Sequence, residues 1–405
     1  MSSILDRVLL SQEISERQRL SPVDISGQCL KLISAREADV LRQRFGLDGD
    51  EPKTLEVIGK RYAVTRERVR QIERQGIERI RHAKAFAAIS EGISNLVHHS
   101  LVSHGHIRRQ DVLMDDLLSQ SGDSPANKSS LAFIIEQLLT HVVEEVDDAD
   151  RHPSWKLKDS ALELFHDVID AVRSILNDHT QPLEFQKLAE RFLAHPTAQA
   201  RAHEFRAFSP YGAAADDEDQ EIVARVIQSY LECSRHIQQN PFGEWGLSTW
   251  HSIRPKRMSD KIYLVLKKHG SPLHFTVITE HINHTKFDHK TAHAPTVHNE
   301  LILDARFVLV GRGMYALQEW GYEPGVVADV IEKVLTRAGG PLTRDEIVDA
   351  VTTQRMVKRG TILLALNNRG RFAPLPDGRY ASAHTPQPSD TIPPPQSGDA
   401  SPPSP

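Results

Sequence analysis

The sequence predicts a mainly α-helical protein: a helix-turn-helix head, an array of winged-helix units (helices with a small β-hairpin) and a disordered tail. Three observations predict it. A basic helical pattern runs through "TRERVRQIERQGIERIRHAK", Thr65 to Lys84, with seven Lys/Arg and three Glu in twenty residues. A unit of amphipathic helix, Pro-Leu turn and second amphipathic helix recurs along the body. The final stretch, "TPQPSDTIPPPQSGDASPPSP", holds eight prolines in twenty-one residues and almost nothing apolar.

The head is read first. "AREADVLRQRFGL" spaces Ala38, Val40, Leu41 and Phe45 as one helix face and stops at Gly46. "TLEVIGKRYAV" begins at Thr54, a good N-cap, and repeats Leu55, Ile58 and Tyr62. Val64 closes a short turn and Thr65 caps the next helix. At 100° per residue, Val69, Ile72, Gly76 and Ile80 fall on one stripe about 80° wide, and Arg66, Glu67, Arg70, Gln71 and Arg74 lie roughly opposite. Ile77 falls off that stripe. Two short helices with a tight turn, the second apolar inside and basic outside, make a helix-turn-helix. Its second helix fits a DNA major groove, where Arg and Gln read guanine and adenine edges. Lys60, Arg61, Thr65, Arg79, Arg81 and Lys84 are the candidate phosphate contacts, which give affinity and salt dependence rather than sequence choice. The same periodicity also suits a solvated helix laced with i,i+4 ion pairs.

Charge distribution favours the first reading. The 405-residue chain has a net charge of −5. From Lys31 to Lys84 there are fourteen Lys/Arg and nine Asp/Glu, or +5, so the remainder sums to −10. One basic module on an acidic body is the asymmetry expected when one part meets a polyanion.

The body follows. "HDVIDAVRSILNDHTQPLEFQKLAERF", "DKIYLVLKKHGSPLHFTVITEHI" and "ADVIEKVLTRAGGPLTRDEIVDAV" share the helix–Pro-Leu–helix plan, with the pairs at Pro182-Leu183, Pro272-Leu273 and Pro341-Leu342. Proline is tolerated at a helix's first turn, because that N–H has no partner anyway. The last two copies continue into a third helix, then Arg306-Phe307 or Arg371-Phe372, then a hairpin around Gly311–Gly313 or Asp377-Gly378. A weaker copy starts near Ile93. The expected boundaries are an extension over 1–20, the head over 21–86, a winged-helix-like domain over 90–158, a degenerate one over 159–240, a linker over 241–257, winged helices over 258–322 and 325–383, and a disordered tail over 384–405. "SPYGAAADDEDQE" reads as a loop within the second copy.

The residues of the head resemble region 4 of sigma-70 family transcription initiation factors. "RFGLDGDEPKTLEVIGK" and "VTRERVRQIE" carry the resemblance, in order and spacing. It implies that Arg66, Glu67, Arg70 and Gln71 contact bases of a promoter −35-like element. It also implies that the helices from about Pro22 to Leu47 dock on the β flap of RNA polymerase. Gln75 and Glu78 stand where the family commonly has basic residues, and nothing resembles sigma region 2, so a complete sigma factor is not expected. "GSPLHFTVITEHIN" and "APTVHNELILDARFVLVGRGMYALQEW", with "GGPLTRDEIVDAV" less clearly, resemble HARE-HTH winged helices such as the delta subunit of RNA polymerase. That resemblance implies a transcription-linked binding module without catalytic residues.

Other chemistry is not expected. Cys29 and Cys233 are distant and form no CxxC pair, which argues against a disulfide framework or a cysteine zinc site and fits a reducing cytosol. The N-terminus lacks a signal-peptide core, and no run of eighteen apolar residues exists to span a membrane. His104–His106 and His281–His284 lack HExxH spacing and read as surface or loop histidines. The acidic runs from Glu144 and Asp216 lack the glycine bend and bidentate Glu of a calcium loop and read as solvated charge. No Walker lysine loop, GxSxG elbow or Cys-His pair appears, so no catalytic residue, metal, cofactor or small-molecule substrate is expected. The leading expectation is a DNA-binding transcription regulator of the bacterial cytoplasm and nucleoid, associated with RNA polymerase. The alternatives are a polymerase-docking protein that does not read DNA, and an enzyme accessory. Few positive charges in "TVHNELIL" and "TILLALNN" argue for protein contact by the last two winged helices.

Overall fold

The computed structural model describes residues 21–119, 121–208, 216–322, 325–355 and 357–383. The extension over 1–20, the proline-rich tail over 384–405 and residues 209–215 of the expected loop lie outside them. The chain divides after Arg254 into two compact units.

The first unit opens with four helices: α1 (Pro22–Leu30), α2 (Ala35–Phe45), α3 (Leu55–Tyr62) and α4 (Arg66–His82). Each begins at a side-chain cap. Ser21, Ser34, Thr54 and Thr65 accept from backbone N–H groups of the first turn, and Glu37 closes a capping box with Ser34. Gly46 ends α2 in the left-handed region at φ 66°. Between α3 and α4, Ala63 adopts φ 52° and the Val64 N–H donates to the Gly59 carbonyl at 3.0 Å. Gly59 is required there, because a Cβ would lie 2.7 Å from the Val64 carbonyl oxygen.

A module with winged-helix connectivity follows: α5 (Phe86–Ser103), β1 (Ile107–Arg109), α6 (Gln110–Leu118), α7 (Pro125–Phe133), β2 (Val143–Val146) and β3 (Ser154–Leu157). Its antiparallel sheet has the order β1-β3-β2. A π-helical turn, Ile134–Leu138, extends α7. The next module repeats the plan with α8 (Glu163–His179), β4 (Leu183–Glu184), α9 (Phe185–Leu193), two short helices α10 (Pro196–Ala200) and α11 (Ala202–Ala207), then α12 (Asp216–Cys233), β5 (Ile237–Gln239) and β6 (Glu244–Leu247). Its sheet order is β4-β6-β5.

Two sequence expectations are corrected here. Residues 241–257 are not a plain linker, because β6 is the central strand of this sheet. Trp245 pairs with Leu183 and Gln239 and is buried, and Ile253 is buried as well. Asp216 onward is helical rather than loop.

The modules of this unit are not beads on a string. Cys29, Leu30, Ala38, Leu41, Leu47, Ile77 and Ile80 of the head share one apolar core with Phe86, Leu131, Phe133, Ile134 and Trp155 of the first winged module. Phe45 packs on Phe133 at 4.9 Å between centroids, and the Ser26 hydroxyl donates to Ser130 at 3.1 Å. A second join repeats the device. From α12, Ser229 donates to the Ile107 carbonyl at 2.6 Å, Tyr230 to Gly105 at 2.9 Å and Arg225 to Ser103 at 2.8 Å. Gly105, at φ 77°, admits the tyrosine ring, since a Cβ would stand 2.6 Å from its hydroxyl. In both joins the third helix of a winged module seats on the module before it.

The second unit holds two further copies. One comprises α13 (Met258–His269), β7 (Leu273–His274), α14 (Phe275–Thr285), α15 (Ala294–Leu303), β8 (Phe307–Gly311) and β9 (Met314–Leu317), with sheet order β7-β9-β8. The other comprises α16 (Val327–Ala338), α17 (Arg344–Gln354), α18 (Arg359–Leu366), β10 (Phe372–Pro374) and β11 (Tyr380–Ser382), with Leu342 bridging to Tyr380 in place of a first strand. Among the described residues no helix is long and apolar enough to cross a membrane.

Candidate nucleic-acid interface

The head positions α4 by its two ends. At the N-terminal half, Val69 and Ile72 pack with Val40 and Ile58, backed by Leu55, Tyr62 and Val64. That fixes one side of the helix and turns Arg66, Glu67, Arg70, Gln71 and Arg74 outward, where all five are exposed. Glu67 and Arg70 form an ion pair at 2.8 Å across one turn. The guanidinium beside Glu67 holds its carboxyl below the usual carboxylate range. Arg74 pairs with Glu78 at 3.2 Å. Such exposed pairs contribute little to stability and exchange readily for other partners. Arg68, which no sequence pattern singles out, borders the same face. It is exposed and donates to Gln71 at 3.1 Å. It thus flanks the exposed face of α4 one turn before Gln71.

The candidate phosphate contacts divide into two sets. Lys60, Arg61, Thr65 and Lys84 are exposed, with Lys60 paired to Glu56 at 2.9 Å and Thr65 engaged as the α4 cap. Arg79, itself exposed, and the half-buried Arg81 each hold a partner within the chain. Arg79 pairs with Glu37, whose carboxyl burial would raise in pKa; hydrogen bonds from Ser34 and the Arg79 charge outweigh burial and lower it. The Arg81 guanidinium donates through Nε and Nη2 to the Gln137 carbonyl, at 2.6 Å from Nε. Burial there pushes its pKa down. Arg81 is thus half-buried, with two of its N–H groups engaged at the end of the π-helical turn.

Ile77 now has an explanation. It stands one turn before Arg81, and both face the first winged module, where Ile77 is buried in the shared core. The C-terminal half of α4 thus has two covered sides. The stretch from Pro22 to Leu47, which the resemblance offers to a polymerase flap, has Cys29, Leu30, Ala38, Leu41 and Leu47 packed in the same core. Those apolar side chains are engaged inside the chain.

The other sequence candidates resolve as structure. Asp147 pairs with Arg235 at 2.8 Å, Asp150 with His236 at 2.7 Å and Asp148 with Arg151 at 2.5 Å. The acidic run from Glu144 stays exposed, and its Asp147 and Asp150 also bond to the adjacent module. His104 is half-buried and its Nδ1 lies 2.7 Å from the Ser100 carbonyl. Burial, aided by the Arg108 charge, pushes its pKa down to about 4. Among the described residues no group of three His, Cys, Asp or Glu is placed to hold a metal. Cys29 and Cys233 are buried free thiols, pushed up to about 11 and about 12 by burial.

Comparison with known proteins bears on this helix pair. Residues 29–82 match the family model for Sigma-70, region 4. RNA polymerase sigma factor SigA1 of Synechococcus elongatus is 47% identical over 70 residues, covering 17% of each chain. RNA polymerase sigma factor SigA of a Bacillus species is 39% identical over 82 residues, covering 18% of this chain and 22% of its own. SigA of a Nostoc species is 48% identical over 64 residues, covering 16% of each. The chain thus spans less than a quarter of the length of these relatives. Within that span, α2 to α4 are a sigma-70 region 4 domain.

Proposed function

We propose that this chain is a DNA-binding transcription regulator, not an enzyme, that reads a promoter −35-like element through α4 and works with bacterial RNA polymerase on the nucleoid. One observation carries the reading. In a sigma-70 region 4 domain, α4 holds an exposed face of Arg66, Glu67, Arg70, Gln71 and Arg74 while its opposite side is locked by Val69 and Ile72. A fixed helix with Arg and Gln facing outward at its N-terminal half is what base reading in a major groove needs. The surrounding exposed Lys60, Arg61 and Lys84 supply phosphate affinity. The other third helices of the first unit, α7 and α12, are seated on neighbouring modules. That supports α4 as the reading element.

The test is duplex binding by the full chain. Arg70→Ala is expected to cost about 1–3 kcal/mol on a −35-like duplex and to relax discrimination, whereas Lys60→Ala weakens all duplexes alike and lowers the salt slope by about one. Equal affinity of the wild type for −35-like and random duplex would overturn base reading. A second reading, docking on polymerase without DNA readout, draws support from the second unit. There α15 exposes Ile302 at 62% and Leu303 at 80%, and α18 exposes Leu364 at 71%. Apolar third helices suit protein contact better than phosphate contact. Co-purification of core polymerase with no promoter footprint would favour it.

A further inference from the structure

The first winged-helix module has lost both surfaces by which such a fold meets a long partner. Its third helix, α7, lies against the head through Ser130, Leu131 and Phe133. Its wing, between β2 and β3, is pinned by Arg235 and His236 of the following module. One further contact of this module bears directly on α4. The last carbonyls of a helix have no partner within the helix, and a cationic donor placed there meets both an unfilled acceptor and the negative end of the helix dipole. At the end of the α7 π-helical turn, the Gln137 carbonyl receives Arg81, the penultimate residue of α4. One turn earlier Ile77 enters the shared core. Arg79 reaches Glu37 in α2.

We propose that the first winged module is a brace for the reading helix, and that Arg81 is a positioning residue. It acts through the Gln137 carbonyl to hold α4 at the angle at which Arg66, Arg70 and Gln71 meet base edges. The inference rests on the DNA-reading function proposed above. A planar guanidinium donating two N–H groups to one oxygen fixes direction as well as distance, which an ammonium on a flexible stem does not reproduce. The brace therefore distinguishes Arg from Lys, whereas a phosphate contact accepts either.

The experiment uses the full chain as wild type, Arg81→Ala and Arg81→Lys. Affinity for a −35-like duplex and a random duplex is measured across a salt series, with amide exchange of α4 in the free proteins. Both variants are expected to lose about tenfold in the ratio of specific to random affinity, the scale of one impaired base-pair contact. Random-duplex affinity and its salt slope stay as in the wild type, and amides near Ile77 and Ile80 exchange faster. The ratio is the decisive reading, because general destabilisation lowers the active fraction and affects both duplexes equally. The proposal is overturned if Arg81→Lys matches the wild type while Arg81→Ala lowers the salt slope by about one, the signature of a phosphate contact. It is also overturned if neither variant changes the ratio. A wild type that fails to discriminate overturns the DNA-reading function itself; exchange still scores the brace, and unchanged exchange overturns that too.

Discussion

Replacing Phe133 with Ala tests the shared core directly. The ring is 1% exposed and packs on Phe45 of the head at 4.9 Å. Burying a phenylalanine removes roughly 150–200 Å² of apolar surface from water, worth about 4–5 kcal/mol at 25 cal/mol/Å² as an upper bound. Measured Phe→Ala losses in cores, cavity included, are about 3–5 kcal/mol. Phe133 belongs to the winged module by sequence, yet its core includes Ile77 and Ile80 of α4. The loss should therefore appear in both places. Amides of α4 and of β3 that exchange through cooperative opening should both speed up by roughly 100-fold to 4,000-fold, since each 1.4 kcal/mol is a factor of ten. Exchange read residue by residue in wild type and variant decides the matter. If β3 accelerates while Val69, Ile72 and Ile80 keep their rates, the head and the module are separate folding units and the brace has no mechanical basis.

Two further outcomes are expected. Ala63→Gly should stabilise the chain by about 0.5–1 kcal/mol in denaturant unfolding. It relieves the left-handed strain at φ 52°, worth roughly 1–2 kcal/mol, against a gain in unfolded-chain freedom of about 0.4–1 kcal/mol. His104 should make stability pH-dependent. Its pKa is lowered from 6.5 to about 4 in the folded chain, so the unfolded chain takes up the proton first as pH falls. Its contribution is complete above about pH 6.5, is lost between there and about pH 4, and is flat below. The total is on the order of 3 kcal/mol. His104→Gln should flatten that part of the curve relative to the wild type; parallel curves would refute the assignment.

The head was legible because its signals are local. Caps at Thr54 and Thr65, the stop at Gly46 and the Val69–Ile72 face all act within a turn or two of sequence. The helix–strand order of the winged modules was readable for the same reason. What could not be read was how the modules join. Ile77 looked misplaced because one stripe per helix was assumed, whereas α4 touches two cores. Residues 241–257 read as a linker because a four-residue strand between Gly243 and Ser248 shows no clear alternation. Arg81 bonds a backbone carbonyl fifty-six residues away, a partner to which no sequence pattern points. The bonds of Asp147 and Asp150 to the next module are illegible for the same reason, since Arg235 and His236 lie more than eighty residues on.

The seating of α7 and α12 on the modules before them has a consequence for synthesis. A ribosome releases the chain from its N-terminus, so when α4 emerges the greasy side made by Leu41, Ile77 and Ile80 still lacks Leu131, Phe133 and Ile134. The nascent head is a half-closed hand until about fifty-five more residues have followed. Thereafter each newcomer finds its berth already built: α12 arrives when the turn at Gly105 is in place to receive Tyr230. Assembly in the first unit thus runs in one direction, and α4 gains its final footing only when the polypeptide behind it has been made.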